Sequence, residues 1–254
     1  MKLIVAGATG LVGTEIIRQC LEISEITQVT ALARKPVHVE DGTDPRSKLK
    51  SVVIRDYGEY SADVKAEFAG ADACIWYAVS LIIMAKKNAK GKATDASSFD
   101  FAEVKRVCQD CTLAGFKAMY EAGPAKPFRF IYFSADGTPR DPTKKPAIMG
   151  DYQVMRCETE LMVIKFPAQY PGVEICIAQP GVVVNSTSFG RSVLASAFRV
   201  VNSFTRAIPN IHRQELSAAV LDLAVKGFDQ ETVKNNDLVR RGQEVLKQKG
   251  ESKR

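Results

Sequence analysis

The sequence predicts a doubly wound α/β fold, a mainly parallel sheet with helices on both faces, and three observations predict it. Short apolar, β-branched runs alternate with longer stretches of helical periodicity, the pattern of parallel strands joined by crossover helices. The first apolar run leads through three spaced glycines straight into an amphipathic stretch, a strand–turn–helix unit. A chain of 254 residues with 46% hydrophobic and 25% charged side chains suits a single domain, 1–254, with a large buried core.

Taken in order, strands are expected at 3–6 (LIVA), 28–33 (QVTALA), 51–55 (SVVIR), 73–78 (ACIWYA), 129–134 (RFIYFS) and 173–179 (VEICIAQ). Helices are expected between them at 11–22, 62–68, 99–122 and 152–166. Right-handed crossovers on this series give the strand order 3-2-1-4-5-6. A small substrate-side extension, mainly 182–213, carries one helix near 191–206. Another helix, near 214–227, places Leu216, Val220, Leu223 and Ala224 on one face and is expected to pack on the sheet. A short final segment and a frayed tail near 247–254 complete the chain. The loops 85–98 and 136–150, the second with Pro139, Pro142 and Pro146, read either as functional loops or as solvated connections.

Composition narrows the function classes. No apolar run reaches the roughly 18 residues that span a bilayer, and the glycine-rich opening MKLIVAGATG does not suit a secretory signal, so a cytosolic protein with no membrane partner is expected. The six cysteines, at 20, 74, 108, 111, 157 and 176, lie among apolar neighbours and not in spaced ligand pairs. Cys108 and Cys111 form a CxxC, but they share a stripe with Phe101, Val104 and Gly115 that describes one helix face, so core packing is preferred over redox or metal chemistry and no metal is expected. The net charge of +6 resides largely in the last residues, Arg240, Arg241, Lys247, Lys249, Lys253 and Arg254 against Glu244 and Glu251. A second cluster, Lys86, Lys87, Lys90 and Lys92, has no interleaved aromatics, which argues against nucleic acid. The expected partner is a small molecule, bound by a monomer or homodimer.

The most specific local signal is Gly7-Ala8-Thr9-Gly10-Leu11-Val12-Gly13, directly after a strand and directly before a helix. Gly7 and Gly10 allow a tight turn and close approach of the backbone to a pyrophosphate. Gly13 lets the helix press on the strand, and the helix N-terminus offers free N–H groups to the anion. This is a Rossmann-type dinucleotide site. About twenty residues on, where an NAD site carries an acidic residue for the ribose, the chain has Ala33-Arg34-Lys35, and a cation there pairs with a 2′-phosphate. NADP(H) is therefore the expected cofactor, with a solvated basic loop as the alternative reading of Arg34 and Lys35.

The GxxGxxG spacing resembles the short-chain dehydrogenase/reductase superfamily, in particular its atypical and extended branches with GATGxxG starts, over the chain up to about Gly181. The resemblance implies further cofactor contacts: Asp56 and Tyr57 at the adenine, Ala78, Val79 and Ser80 beside the ribose and nicotinamide, and Pro180-Gly181 as the turn flanking the nicotinamide. It also implies Ser134 as the residue holding the substrate oxygen and Tyr152 as the proton donor or acceptor. Arg156 stands where the superfamily has a lysine. One helical turn from Tyr152, a guanidinium favours the phenolate by Coulomb attraction but relays no proton. Arg156 reads equally as a surface pair with Glu160, one turn further on. The segment 150–156 and the opening MKLIVAGATGLVGTEIIRQ are similar to the oxidoreductases of fungal aromatic polyketide pathways loosely named after averufin oxidase. That implies a phenolic or quinone substrate in secondary metabolism.

Val193, Ala197, Val201 and Phe204 form an apolar stripe that reads as a ligand wall or, preferably, as core or a subunit interface. His212 reads as structural before it reads as a proton donor. The leading expectation is an NADP(H)-dependent oxidoreductase. The alternatives are a non-catalytic NADP sensor and a cofactor-retaining isomerase or dehydratase.

Overall fold

A computed structural model describes residues 1–37, 48–77, 101–147, 150–185 and 209–252. Among them the parallel strands β1 (Lys2–Ala6), β2 (Gln28–Ala33), β3 (Leu49–Val53), β4 (Ala73–Trp76), β5 (Phe128–Phe133), β6 (Val173–Gln179) and β9 (Thr232–Lys234) form one sheet in the order β3-β2-β1-β4-β5-β6-β9. Its first six strands follow the expected 3-2-1-4-5-6 order. The short strands β7 (Val182–Val184) and β8 (Asn210–His212) pair parallel in a second sheet.

Both faces of the sheet are covered, which is why the strands read as continuous apolar runs and not as an alternation. In β1, Leu3 and Val5 enter one core together with Val12, Ile16 and Cys20 of helix α1 (Leu11–Cys20) and Leu216, Val220 and Leu223 of helix α7 (Arg213–Lys226). Ile4 and Ala6 point to the opposite core, with Phe116 and Met119 of helix α4 (Cys111–Glu121) and Phe166 of the short helix α6 (Phe166–Gln169).

The stretch expected as one helix at 99–122 is three pieces. Helix α3 (Phe101–Lys105) passes through a π-helical turn, Arg106–Asp110, into α4. Cys108 and Cys111 are buried free thiols on this run, as core packing requires. Gly115 brings α4 against β4, since a Cβ there would lie 2.1 Å from the Trp76 ring. Trp76 Nε1 then donates to Thr112 Oγ1 at 2.9 Å. Helix α2 (Ala62–Ala66) is capped by the Ser61 hydroxyl. Helix α5 (Gly150–Ile164) begins two residues before the expected start, and Pro167 opens α6 as a separate turn.

The end of the chain corrects the expectation of a frayed tail. After β9, helix α8 runs over Asn235–Ser252 and lies against α7. Leu238 is fully buried, Arg241 bonds Asp222 at 3.2 Å, and a Cβ on Gly242 would fall 2.1 Å from the Glu215 carbonyl. The basic residues that look like a solvated tail pair along and across helices, Arg240 with Asp237 and Lys249 with Glu22. Among the described residues no helix is long and apolar enough to cross a membrane. The expected helix at 191–206 with its Val193–Phe204 stripe, the loop 85–98, and Ala78, Val79 and Ser80 lie outside the described residues.

Candidate cofactor and proton-donor site

The glycine loop sits at the C-terminal edge of the sheet between β1 and α1. Gly7 has φ +79°, and a Cβ on it would meet the Tyr77 carbonyl at 2.2 Å. A Cβ on Gly13 would meet the Gly7 carbonyl at 2.2 Å and Ala8 Cα at 2.9 Å, so the helix and loop backbones touch there. Gly10 caps α1 with extended geometry and no side-chain bond, and the first turn holds no acidic residue. The amides of Leu11, Val12 and Gly13 therefore have no intrahelical partner and no competing carboxylate, which suits an anion. Thr9 and Leu11 are exposed on the lip, whereas the Val12 side chain is buried in the core.

Beside the loop, Arg34 and Lys35 follow β2 as exposed cations. Tyr57 ties the strand ends together: Gly7 N–H donates to its hydroxyl at 3.0 Å, and the hydroxyl donates to the Leu32 carbonyl at 3.1 Å. Burial raises the Tyr57 phenol pKa, partly offset by the Gly7 bond and the Arg34 charge. Asp56 is held by Arg106 through two bonds, 3.0 and 2.9 Å, and by the Gly58 amide at 2.7 Å. Both residues expected at the adenine thus have structural partners of their own.

Across the sheet edge lies a cluster of phenols around one cation. Arg156 is 1% exposed, and its guanidinium donates to Tyr132 Oη at 3.2 Å and to the Phe133 carbonyl at 2.7 Å. It lies 5.5 Å from the centroid of the Tyr132 ring and 5.7 Å from that of Tyr152. Its Nε has no hydrogen-bond partner. A surface pair with Glu160 is not what forms: both side chains are buried, and Glu160 instead accepts from Gln179 Nε2 at 2.9 and 3.1 Å. Two charges on one helix are drawn inward because β5 and β6 supply the partners that a helix surface would lack.

Tyr152 is 9% exposed, and burial raises its phenol pKa while Arg156 works against the rise. Ser134 follows Phe133 at the end of β5, 4% exposed, with its hydroxyl 3.4 Å from Thr138 Oγ1. The structure therefore brings Tyr152 and Arg156 together, with Ser134 next in the chain to Phe133, whose carbonyl Arg156 holds. Tyr77 joins them: its ring edge lies beside Gly10 and packs edge-on against Phe133 at 4.9 Å, and its phenol, pushed up to about 12 by burial, senses both Arg156 and Tyr152. Sequence reasoning missed Tyr77, Tyr132 and Gln179, which are ordinary residues until the strands are aligned, and read Glu160 only as a surface partner of Arg156.

Pro180 and Gly181 follow β6. The Gly181 amide donates to Asn235 Oδ1 at 2.8 Å, and a Cβ there would lie 2.1 Å from the Pro209 carbonyl, so the turn is set by β8 and α8. His212 caps α7, its backbone N–H donating to Glu215 at 3.3 Å. Among the described residues no group of three or more His, Cys, Asp or Glu is placed to hold a metal.

Comparison with known proteins agrees with this geometry. A family described as NAD(P)H-binding matches residues 7–159. The leucinostatins biosynthesis cluster protein T of Purpureocillium lilacinum is 29% identical over 137 residues, 54% of this chain and 44% of that protein, so this chain matches less than half of that relative's length. The PhqB reductase domain from Penicillium fellutanum superposes with a TM-score of 0.65 at 18% identity, covering 93% of this chain and 67% of that one. A short-chain dehydrogenase/reductase from Saccharomyces cerevisiae superposes with a TM-score of 0.61 at 12% identity, covering 93% and 96%. The glycine loop, the sheet order and these matches agree: the chain belongs to the NAD(P)H-binding family, on the Rossmann-like fold of the short-chain dehydrogenases/reductases.

Proposed function

We propose that this protein is an NADP(H)-dependent oxidoreductase that reduces a carbonyl or quinone, with Tyr152 as the proton donor. The observation that carries the reading is the nearly buried Tyr152 ring 5.7 Å from the fixed Arg156 cation, electrostatically coupled to Tyr77, which lies beside Gly10 of the glycine loop.

The residues present fit a dinucleotide. Gly7 and Gly13 let the loop close on Tyr77 and on α1 where a Cβ would strike backbone, the first amides of α1 are left without helical partners, and Arg34 and Lys35 are the cations for a 2′-phosphate. Ala78, Val79, Pro180 and Gly181 are assigned to the nicotinamide end by position in the chain. Bound NADPH supplies the hydride. The protein's own part is to hold and deliver a proton. With its pKa raised by burial, Tyr152 carries that proton at neutral pH, the form needed to protonate an oxygen receiving negative charge. Arg156 stays charged and buried, so it contacts neither substrate nor ribose; it moderates the phenol pKa through 5.7 Å of protein interior and orients the ring. Ser134 positions the substrate oxygen.

A biosynthetic setting is supported by the likeness to a biosynthesis-cluster protein, and a phenolic or aromatic polyketide substrate is what the resemblance of the opening and of 150–156 implies. One observation favours a second reading, an NADP sensor: Arg156 has both amino groups engaged and cannot pass a proton, so the usual lysine relay is absent. The deciding experiment titrates the protein with NADPH and NADH and follows reduced-nicotinamide absorbance with hydroxyanthraquinones and simple quinones. The oxidoreductase reading expects NADPH to bind more tightly, by about tenfold or more through Arg34, and to be consumed. It expects Tyr152→Phe to lower turnover by about 10²–10⁴ while NADPH affinity is kept. Tight binding without consumption favours the sensor, and binding of neither nucleotide ends both.

A further inference from the structure

The phenols around the glycine loop and α5 differ in what their hydroxyls already do. Tyr57 accepts from the Gly7 amide and donates to the Leu32 carbonyl. Tyr132 is 1% exposed and accepts from the Arg156 guanidinium. Tyr152 holds the proton of the proposed reaction. Tyr77, directly after β4, is partly exposed, and among the described residues its hydroxyl has no hydrogen-bond partner.

Its place in the fold is set by backbone and ring contacts. The Tyr77 amide donates to the Ala6 carbonyl at 3.1 Å, which fixes the residue beside the end of β1. From there the ring faces the loop: a Cβ on Gly10 would lie 3.5 Å from its Cε1, and one on Gly7 3.6 Å from its Cδ1. The absence of a side chain at Gly10 keeps the space between loop and ring open. The same ring packs edge-on against Phe133, with 4.9 Å between centroids. The Phe133 carbonyl is in turn an anchor of Arg156, at 2.7 Å, and the Arg156 guanidinium lies 5.7 Å from the Tyr152 ring. Tyr77 therefore spans the distance from the glycine loop to the strand end that holds the Tyr152–Arg156 pair.

We propose that Tyr77 is a dinucleotide-binding residue whose hydroxyl donates to the ribose on the nicotinamide side of the cofactor. This rests on the cofactor reading made above. With phosphates at the first amides of α1 and a nicotinamide beside Tyr152, the ribose that joins them passes Tyr77. Arg156 does not make that bond, because it is closed inside and both its amino groups are engaged. Burial pushes the Tyr77 phenol up to about 12, so the hydroxyl keeps its proton at neutral pH and serves as a donor, and a ribose hydroxyl oxygen accepts.

Calorimetric titration with three nucleotides tests the assignment. NADPH and 2′-phospho-ADP-ribose both carry the second ribose, whereas 2′,5′-ADP ends before it. Tyr77→Phe keeps the ring and its packing on Phe133 and removes only the donor. The variant should bind the first two about three- to tenfold more weakly and bind 2′,5′-ADP as the wild type does. Unchanged affinity for 2′-phospho-ADP-ribose overturns the inference. An equal loss for all three overturns it as well, since the loop itself would then have shifted. A second readout follows tyrosine Cζ in 13C-labelled protein. The resonance that Tyr77→Phe deletes should shift when 2′-phospho-ADP-ribose is added to the wild type and stay in place with 2′,5′-ADP; the same response to both ligands counts against the assignment. If the wild type binds none of the three, the cofactor reading fails and takes the inference with it. Wild-type binding that Tyr77→Phe leaves untouched sinks the inference alone.

Discussion

Arg156 and Tyr152 show what one substitution in a familiar spacing does. A lysine at 156 would reach outward as a flexible point charge, but the planar guanidinium is anchored at two points, Tyr132 Oη and the Phe133 carbonyl, and stays inside. Its influence on Tyr152 is then purely electrostatic, and that can be measured. Because burial raises the phenol pKa and Arg156 opposes the rise, reductase activity should persist through neutral pH and fall only above the ordinary tyrosine range. In Arg156→Met that alkaline limb should move to still higher pH. The same variant orphans the buried Phe133 carbonyl and should cost about 1–3 kcal/mol in denaturant unfolding. A limb that stays in place would mean the cation serves packing alone.

At the scale of elements, the strand–loop–helix unit β1-α1 is a backbone device. Contacts at Gly13 are to backbone atoms of Gly7 and Ala8, which cannot swing aside as a side-chain tip could. Gly13→Ala should therefore push α1 away from the loop, destabilise the fold by about 1–3 kcal/mol and weaken NADPH binding well beyond that measured for Thr9→Ala, whose side chain is exposed. Calorimetric titration of both variants checks the contrast. The Tyr57 hydroxyl belongs to the same device, since it joins Gly7 at the end of β1 to Leu32 at the end of β2. Helix α5 is a second device, carrying Tyr152, Arg156 and Glu160 on one face, one turn apart, toward β5 and β6.

Across the whole molecule, α8 and β9 complete the sheet. β9 pairs with β6 next to Gln179, the residue that holds Glu160, and Asn235 at the start of α8 bonds both the Gly181 amide and the Asn210 carbonyl. The last elements thus brace the site side of the sheet. Leu238→Ala, which empties a fully buried position, should cost about 2–5 kcal/mol and lower the thermal midpoint cooperatively, with no separate early transition for the C-terminal segment. A biphasic melt would show that α8 is an independent unit.

What the sequence determined by itself was local and repetitive. Strand order and most element positions were legible because each strand's apolar run and each helix's stripe are contiguous in the chain. The glycine loop was legible because its three glycines act within seven residues, where turn geometry and the helix N-terminus decide everything. α8 was not, since its polar, Lys- and Arg-rich composition carries little sign of burial and its anchor, Leu238, gains meaning only against α7. The partners of Arg156 and Glu160 were hidden for the same reason. Tyr132 lies 24 residues before Arg156, and Gln179 lies 19 after Glu160. Only the parallel register of β5 and β6, which sets Tyr132 opposite Ile177 and Phe133 opposite Ala178, brings them under α5. Buried polar groups must find partners wherever the fold supplies them, so the tertiary structure alone decided which charges turned inward and what they hold.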